Sequence, residues 1–130
     1  MMLGKTILGV SALILSSYGV VCLISPTTPA GYAGLIISNG DGFAEIGAMY
    51  GGLQIGLGLF FLLALLKPEF YRSGLMILFL GIGSLALARL ASLLMTEQVI
   101  TAYTYGALSY EIATACIAAI ALMRTPNDPT

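Results

Sequence analysis

Charge is what this chain has least of. Only 8% of its 130 residues are Asp, Glu, Lys or Arg, 58% are hydrophobic, and mean hydropathy is +0.99. A soluble domain carries about 25% charged residues, so the solvent this surface suits is lipid. Histidine is absent, which excludes three-His and His–carboxylate metal sites and any Ser-His or Cys-His dyad. Tryptophan is absent too, leaving seven tyrosines to form any interfacial aromatic belt. The two cysteines, Cys22 and Cys116, form no C-x-x-C pair. A net charge of −1 offers no basic patch, so nucleic acid is not expected as a partner. No metal and no cofactor is expected.

Long apolar runs fill the space that charge leaves. A span needs about 20 mainly apolar residues, and four windows qualify: about Thr6–Ile24, Glu45–Leu66, Ser73–Met95 and Ala102–Met123. Pro26 and Pro68 stand just past the first two, where a helix stops. One domain over residues 1–130 is expected. The fold class is all-α, a transmembrane four-helix bundle.

Lys5, Lys67, Arg72 and Arg124 lie outside the windows or at their ends. With four spans they share one side, and the other side carries Asp41 and Glu97. The positive-inside rule then predicts both termini inside, with the first and third loops outside. Lys5 followed by an apolar run also fits a signal peptide, but the run outlasts an h-region of about 7–15 residues, so the first span is expected to be retained. In the first outer loop, Asn39-Gly40-Asp41-Gly42 reads as a turn, with Asp41 or Gly42 capping the second helix.

Small residues predict close helix packing. The second span carries Gly47/Gly51 and Gly52/Gly56, which lie on different faces at 100° per residue. Gly81 opens a similar stripe in the third. One stripe could serve a homo-oligomer. Phe60, Phe61, Phe70, Tyr71 and Tyr103 read as lipid-facing or interfacial aromatics.

Two charges stand inside the apolar windows, Arg89 and Glu111. Each costs about 2.5–3.5 kcal/mol at a bilayer centre on insertion scales, so they imply pairing, a polar site, or both. At 1.5 Å per residue, Arg89 lies about 9 Å and Glu111 about 13 Å below the outer ends of their spans. Tyr50 and Gln54 lie about 7 and 13 Å down the second span by the same measure, with Glu45 above them. These five residues form the expected polar cluster of the outer leaflet. It reads either as a clasp that orders the helices or as a ligand site.

The run from Glu45 to Gly58, with Tyr50-Gly51-Gly52, Gln54 and Gly56-Leu57-Gly58, resembles the signature of a family of small bacterial four-span proteins. It is the domain-of-unknown-function family numbered 4345. Glu45, Tyr50, Gly51, Gly52, Gln54, Arg89 and Glu111 match its pattern. The resemblance implies a four-span membrane fold and carries no established activity. A more distant fold-level likeness is to DoxX-like membrane proteins, some of them linked to quinone or thiol redox work.

The leading expectation is a non-enzymatic protein of the bacterial inner membrane with no catalytic residues. It would bind a lipid-like or other amphipathic small molecule at the cluster, or act as an accessory subunit, with membrane lipid as its constant partner. One alternative is an oligomeric small-solute or proton-linked transporter. Another is a membrane enzyme, since a carboxylate beside Tyr and Arg can do acid–base chemistry.

Overall fold

The computed structural model describes residues 1–126. Five helices form, and no strand among the described residues. They are α1 (Met2–Ile24), α2 (Thr27–Ala33), α3 (Gly40–Leu66), α4 (Pro68–Met95) and α5 (Ala102–Met123). All but α2 are long and apolar enough to cross a membrane.

Three of the long helices begin before their apolar windows, at Met2, Gly40 and Pro68. Hydropathy marks where hydrocarbon starts, whereas capping marks where the helix starts. Asn39, extended at φ −158° and ψ −177°, accepts a hydrogen bond on its side chain from the Gly42 amide. This corrects the expectation that Asp41 or Gly42 is the cap; Asp41 lies in the first turn, where a carboxylate suits the helix dipole. Pro68 opens α4 at its first position, where a missing N–H costs nothing. The ring pushes Lys67 out of the helical region to φ −116° and ψ 113°, so one residue separates α3 from α4. The short α2 ends at Gly34, whose φ of +71° suits a residue without Cβ.

Both α3 and α4 contain a π-helical stretch, Gly47–Gly52 and Leu78–Ile82 respectively. A π bulge absorbs one extra residue, so five positions across it do the work of about four in an α-helix. Ile46 and Gly51 are accordingly both buried, although an unbroken α-helix would turn them about 140° apart.

The chain divides into two compact units, Gly9–Leu63 and Met1–Leu8 with Ala64–Thr130. In the first, α1 and α3 meet through small residues. A Cβ on Gly19 would lie 2.8 Å from the Gly51 carbonyl oxygen and 2.9 Å from the Ile55 amide nitrogen. One on Gly58 would lie 2.9 Å from the Ser16 amide nitrogen and 3.0 Å from the Ala12 carbonyl oxygen. Backbone packs on backbone here, which no larger residue permits. Phe61, read from sequence as lipid-facing, is instead buried, because it shares the stripe of Gly58 and Ala64.

In the second unit α4 packs along α5. The buried stripe of α4 runs Tyr71, Gly74, Leu75, Leu78, Ile82, Ala86. On α5 it runs Glu111, Thr114, Ala115, Ala118, Ala121. Tyr71 is also not the interfacial aromatic expected: it is buried, and its hydroxyl donates to the Met1 carbonyl at 3.2 Å. Outside these seams large apolar side chains stay exposed, among them Leu13, Leu59, Leu87 and Leu94. Such apolar exposure all along four helices is a lipid-facing surface.

Candidate functional site: an ion pair inside two apolar helices

Arg89 continues the buried stripe of α4, three residues beyond Ala86, and so faces α5. Glu111 heads the buried stripe of α5. Arg89 Nε donates to both carboxylate oxygens, at 3.1 and 2.9 Å, and Nη2 donates to Oε1 at 2.7 Å. This fork geometry is what the planar guanidinium offers and an ammonium does not. The pair is net neutral, which is how two charges persist among apolar residues.

The partners are unequally hidden. The Glu111 side chain is 5% exposed and that of Arg89 27%. Glu111 thus serves as the buried anchor, and the cation is the group that a molecule arriving from outside can reach. Tyr110, next in sequence to the anchor, has its hydroxyl buried without a hydrogen-bond partner among the described residues.

Glu45, Tyr50 and Gln54 all stand on α3, in the other unit. Glu45 and Tyr50 are exposed and Gln54 is half-buried. The π stretch matters for this row. Glu45 and Tyr50 are five apart across the bulge, so they turn toward the same side, with Gln54 one turn on. Within that unit none of the three hydrogen-bonds to another side chain among the described residues.

Of the small residues singled out in the sequence, Gly51 lies against Leu23, where a Cβ would come within 3.1 Å, and Gly47 faces Leu23 at 3.9 Å. Gly52, Gly56 and Gly81 face no neighbouring helix at such range within their own units. Sequence reasoning missed Gly19 and did not place Gly58 in the seam. Both are lone glycines without a partner at four-residue spacing that would have drawn attention to them. No three His, Cys, Asp or Glu side chains gather among the described residues in a metal-holding group.

Residues 3–122 match the family described as Domain of unknown function (DUF4345). The chain belongs to that family. The match takes in all four long helices, and with them both members of the ion pair and the Tyr50-Gly51-Gly52 turn. No curated protein and no solved structure matches the chain. The likeness to DoxX-like proteins is not shown. For this member of the DUF4345 family, function is therefore read from the site itself.

Proposed function

We propose that this protein is a multi-pass protein of the bacterial inner membrane, with both termini in the cytoplasm, that binds a lipid-like or other small amphipathic molecule by its polar head at the Arg89–Glu111 pair. The observation behind this reading is the asymmetry of the pair. A carboxylate 5% exposed grips a guanidinium left 27% exposed. Burying both charges would strengthen their attraction at a desolvation cost, whereas this arrangement keeps the anion hidden and leaves the cation where the polar head of a ligand can meet it. Apolar helix surface flanks the site, which suits a ligand with a polar head and a hydrocarbon body.

The test uses the paired substitution Arg89→Gln with Glu111→Gln, which keeps two hydrogen-bonding side chains and removes both charges together. Mass spectrometry of small molecules co-purifying with the full chain in mild detergent reads the outcome. Loss of a bound amphipathic species from the paired variant, with thermal unfolding close to wild type, is the expected result. Retention of the same species in the same amount by the folded paired variant would overturn the reading.

A further inference from the structure

The Met1–Leu8 and Ala64–Thr130 unit holds a second feature that the ion pair does not use: a cavity of about 870 Å³. Lys5, Arg72 and Arg124 line it, together with one carboxylate, Glu69. Thus three of the five basic residues of the whole chain surround one space. In a chain so poor in charge, that concentration is the strongest electrostatic feature outside the ion pair.

The positions of these cations follow from local structure. Lys5 is one turn into α1, Arg72 one turn past Pro68 in α4, and Arg124 caps the end of α5. Arg72 Nη1 donates to the Thr125 carbonyl at 3.1 Å, which ties the start of α4 to the end of α5. Tyr71 ties the residue that precedes α1 to α4 through the Met1 carbonyl. Among the described residues no carboxylate lies within ion-pair distance of Lys5, Arg72 or Arg124. The remaining wall includes Met76 and Ile77, exposed apolar side chains of α4 that belong to the surface suited to lipid. A cavity with a cationic rim and an apolar wall at the end of membrane-spanning helices matches one chemistry, a phosphate joined to acyl chains. Its volume is in the range of small-molecule sites, about 300–1,000 Å³. Basic pockets at the cytoplasmic ends of such helices are where anionic headgroups are held.

We infer that this cavity binds the phosphate of an anionic phospholipid of the inner leaflet, with Lys5, Arg72 and Arg124 as its cationic ligands. The site is independent of the Arg89–Glu111 reading, because it lies at the other end of α4 and shares none of that site's residues.

Native mass spectrometry of the full chain, taken from phosphatidylcholine nanodiscs doped with phosphatidylglycerol, tests the inference. The wild type is expected to retain phosphatidylglycerol over phosphatidylcholine. Arg72→Gln and Arg124→Gln should each weaken that preference about fivefold, and Lys5→Gln similarly. Glu69→Gln should strengthen it. Lys67→Gln, which removes an exposed cation one residue before α4 that does not line the cavity, should leave it within about twofold. Circular dichroism melts confirm that each variant is folded, and Arg124→Gln, an exposed residue past the last helix, is the variant least exposed to folding loss. Equal retention of the two lipids would overturn the inference. So would a loss in Lys67→Gln as large as in Arg72→Gln, which would make the attraction a property of the whole surface. A third arm titrates inorganic phosphate. If millimolar phosphate binds while phosphatidylglycerol is retained no better than phosphatidylcholine, the source is a free anion and the lipid assignment fails.

Discussion

Arg89 and Glu111 stand on consecutive helices, one on the last two turns of α4 and the other at the head of the buried stripe of α5, and their side chains share three hydrogen bonds of 2.7 to 3.1 Å. Either charge left alone among apolar side chains would cost several kcal/mol. Together they form a neutral, geometrically defined group that presents its cationic side.

Removing one partner should cost more than removing both. Glu111→Ala leaves the guanidinium without its carboxylate and is expected to destabilise the folded state by about 3 kcal/mol, the low end for breaking a buried pair because Arg89 keeps 27% exposure. The double variant Arg89→Ala with Glu111→Ala should lose less than Glu111→Ala alone. Denaturant titration in detergent, run as a double-mutant cycle, measures the coupling. Simple additivity of the two single changes would show that the pair carries no energy.

The α1–α3 seam predicts opposite responses from two glycines two positions apart. Gly58→Ala forces a Cβ against the Ser16 and Ala12 backbone, and about 1–3 kcal/mol of destabilisation is expected. Gly56→Ala meets nothing within 4 Å and should be neutral, or stabilising by up to about 1 kcal/mol through helix propensity. Thermal unfolding of the two variants side by side is the check; equal losses would contradict the seam.

Capping of α3 can be read locally. Asn39→Ala removes the acceptor for the Gly42 amide, bonded at 3.0 Å, and should cost about 1 kcal/mol. Asn39→Asp should be tolerated, and Asp41→Ala should cost less than Asn39→Ala because a first-turn carboxylate contributes only about 0.3–1 kcal/mol. Hydrogen exchange at the Gly42 and Phe43 amides would register the order. Faster exchange in Asp41→Ala than in Asn39→Ala would return the cap to the position expected from sequence.

Much of the architecture was legible before any coordinates. The number of spans, their approximate ends and the break at Lys67-Pro68 follow from local sums of hydropathy and from proline chemistry, and all of these depend only on neighbours in the chain. The requirement that Arg89 find a partner was equally plain, because an unpaired charge in hydrocarbon is costly whatever the fold. Glu111 was the natural choice by depth. Other features were not legible. The π stretch at Gly47–Gly52 shifts the phase of α3, so a face assignment at 100° per residue fails from that point on. Phe61 and Tyr71 looked like lipid-facing aromatics because hydropathy does not tell the lipid side of a membrane helix from the packed side.

By itself the sequence determined that this is a chain of four membrane-length helices carrying one internal charge of each sign, since those are properties of segments. Only the tertiary structure decided that Gly19 and Gly58 join Gly51 in carrying the close approach of α1 and α3, and that Glu111 is buried while Arg89 stays reachable. It also decided that three cations scattered from position 5 to position 124 line one cavity. Each of these depends on how a helix is rotated about its own axis, and that rotation is set by the packing of side chains far apart in sequence.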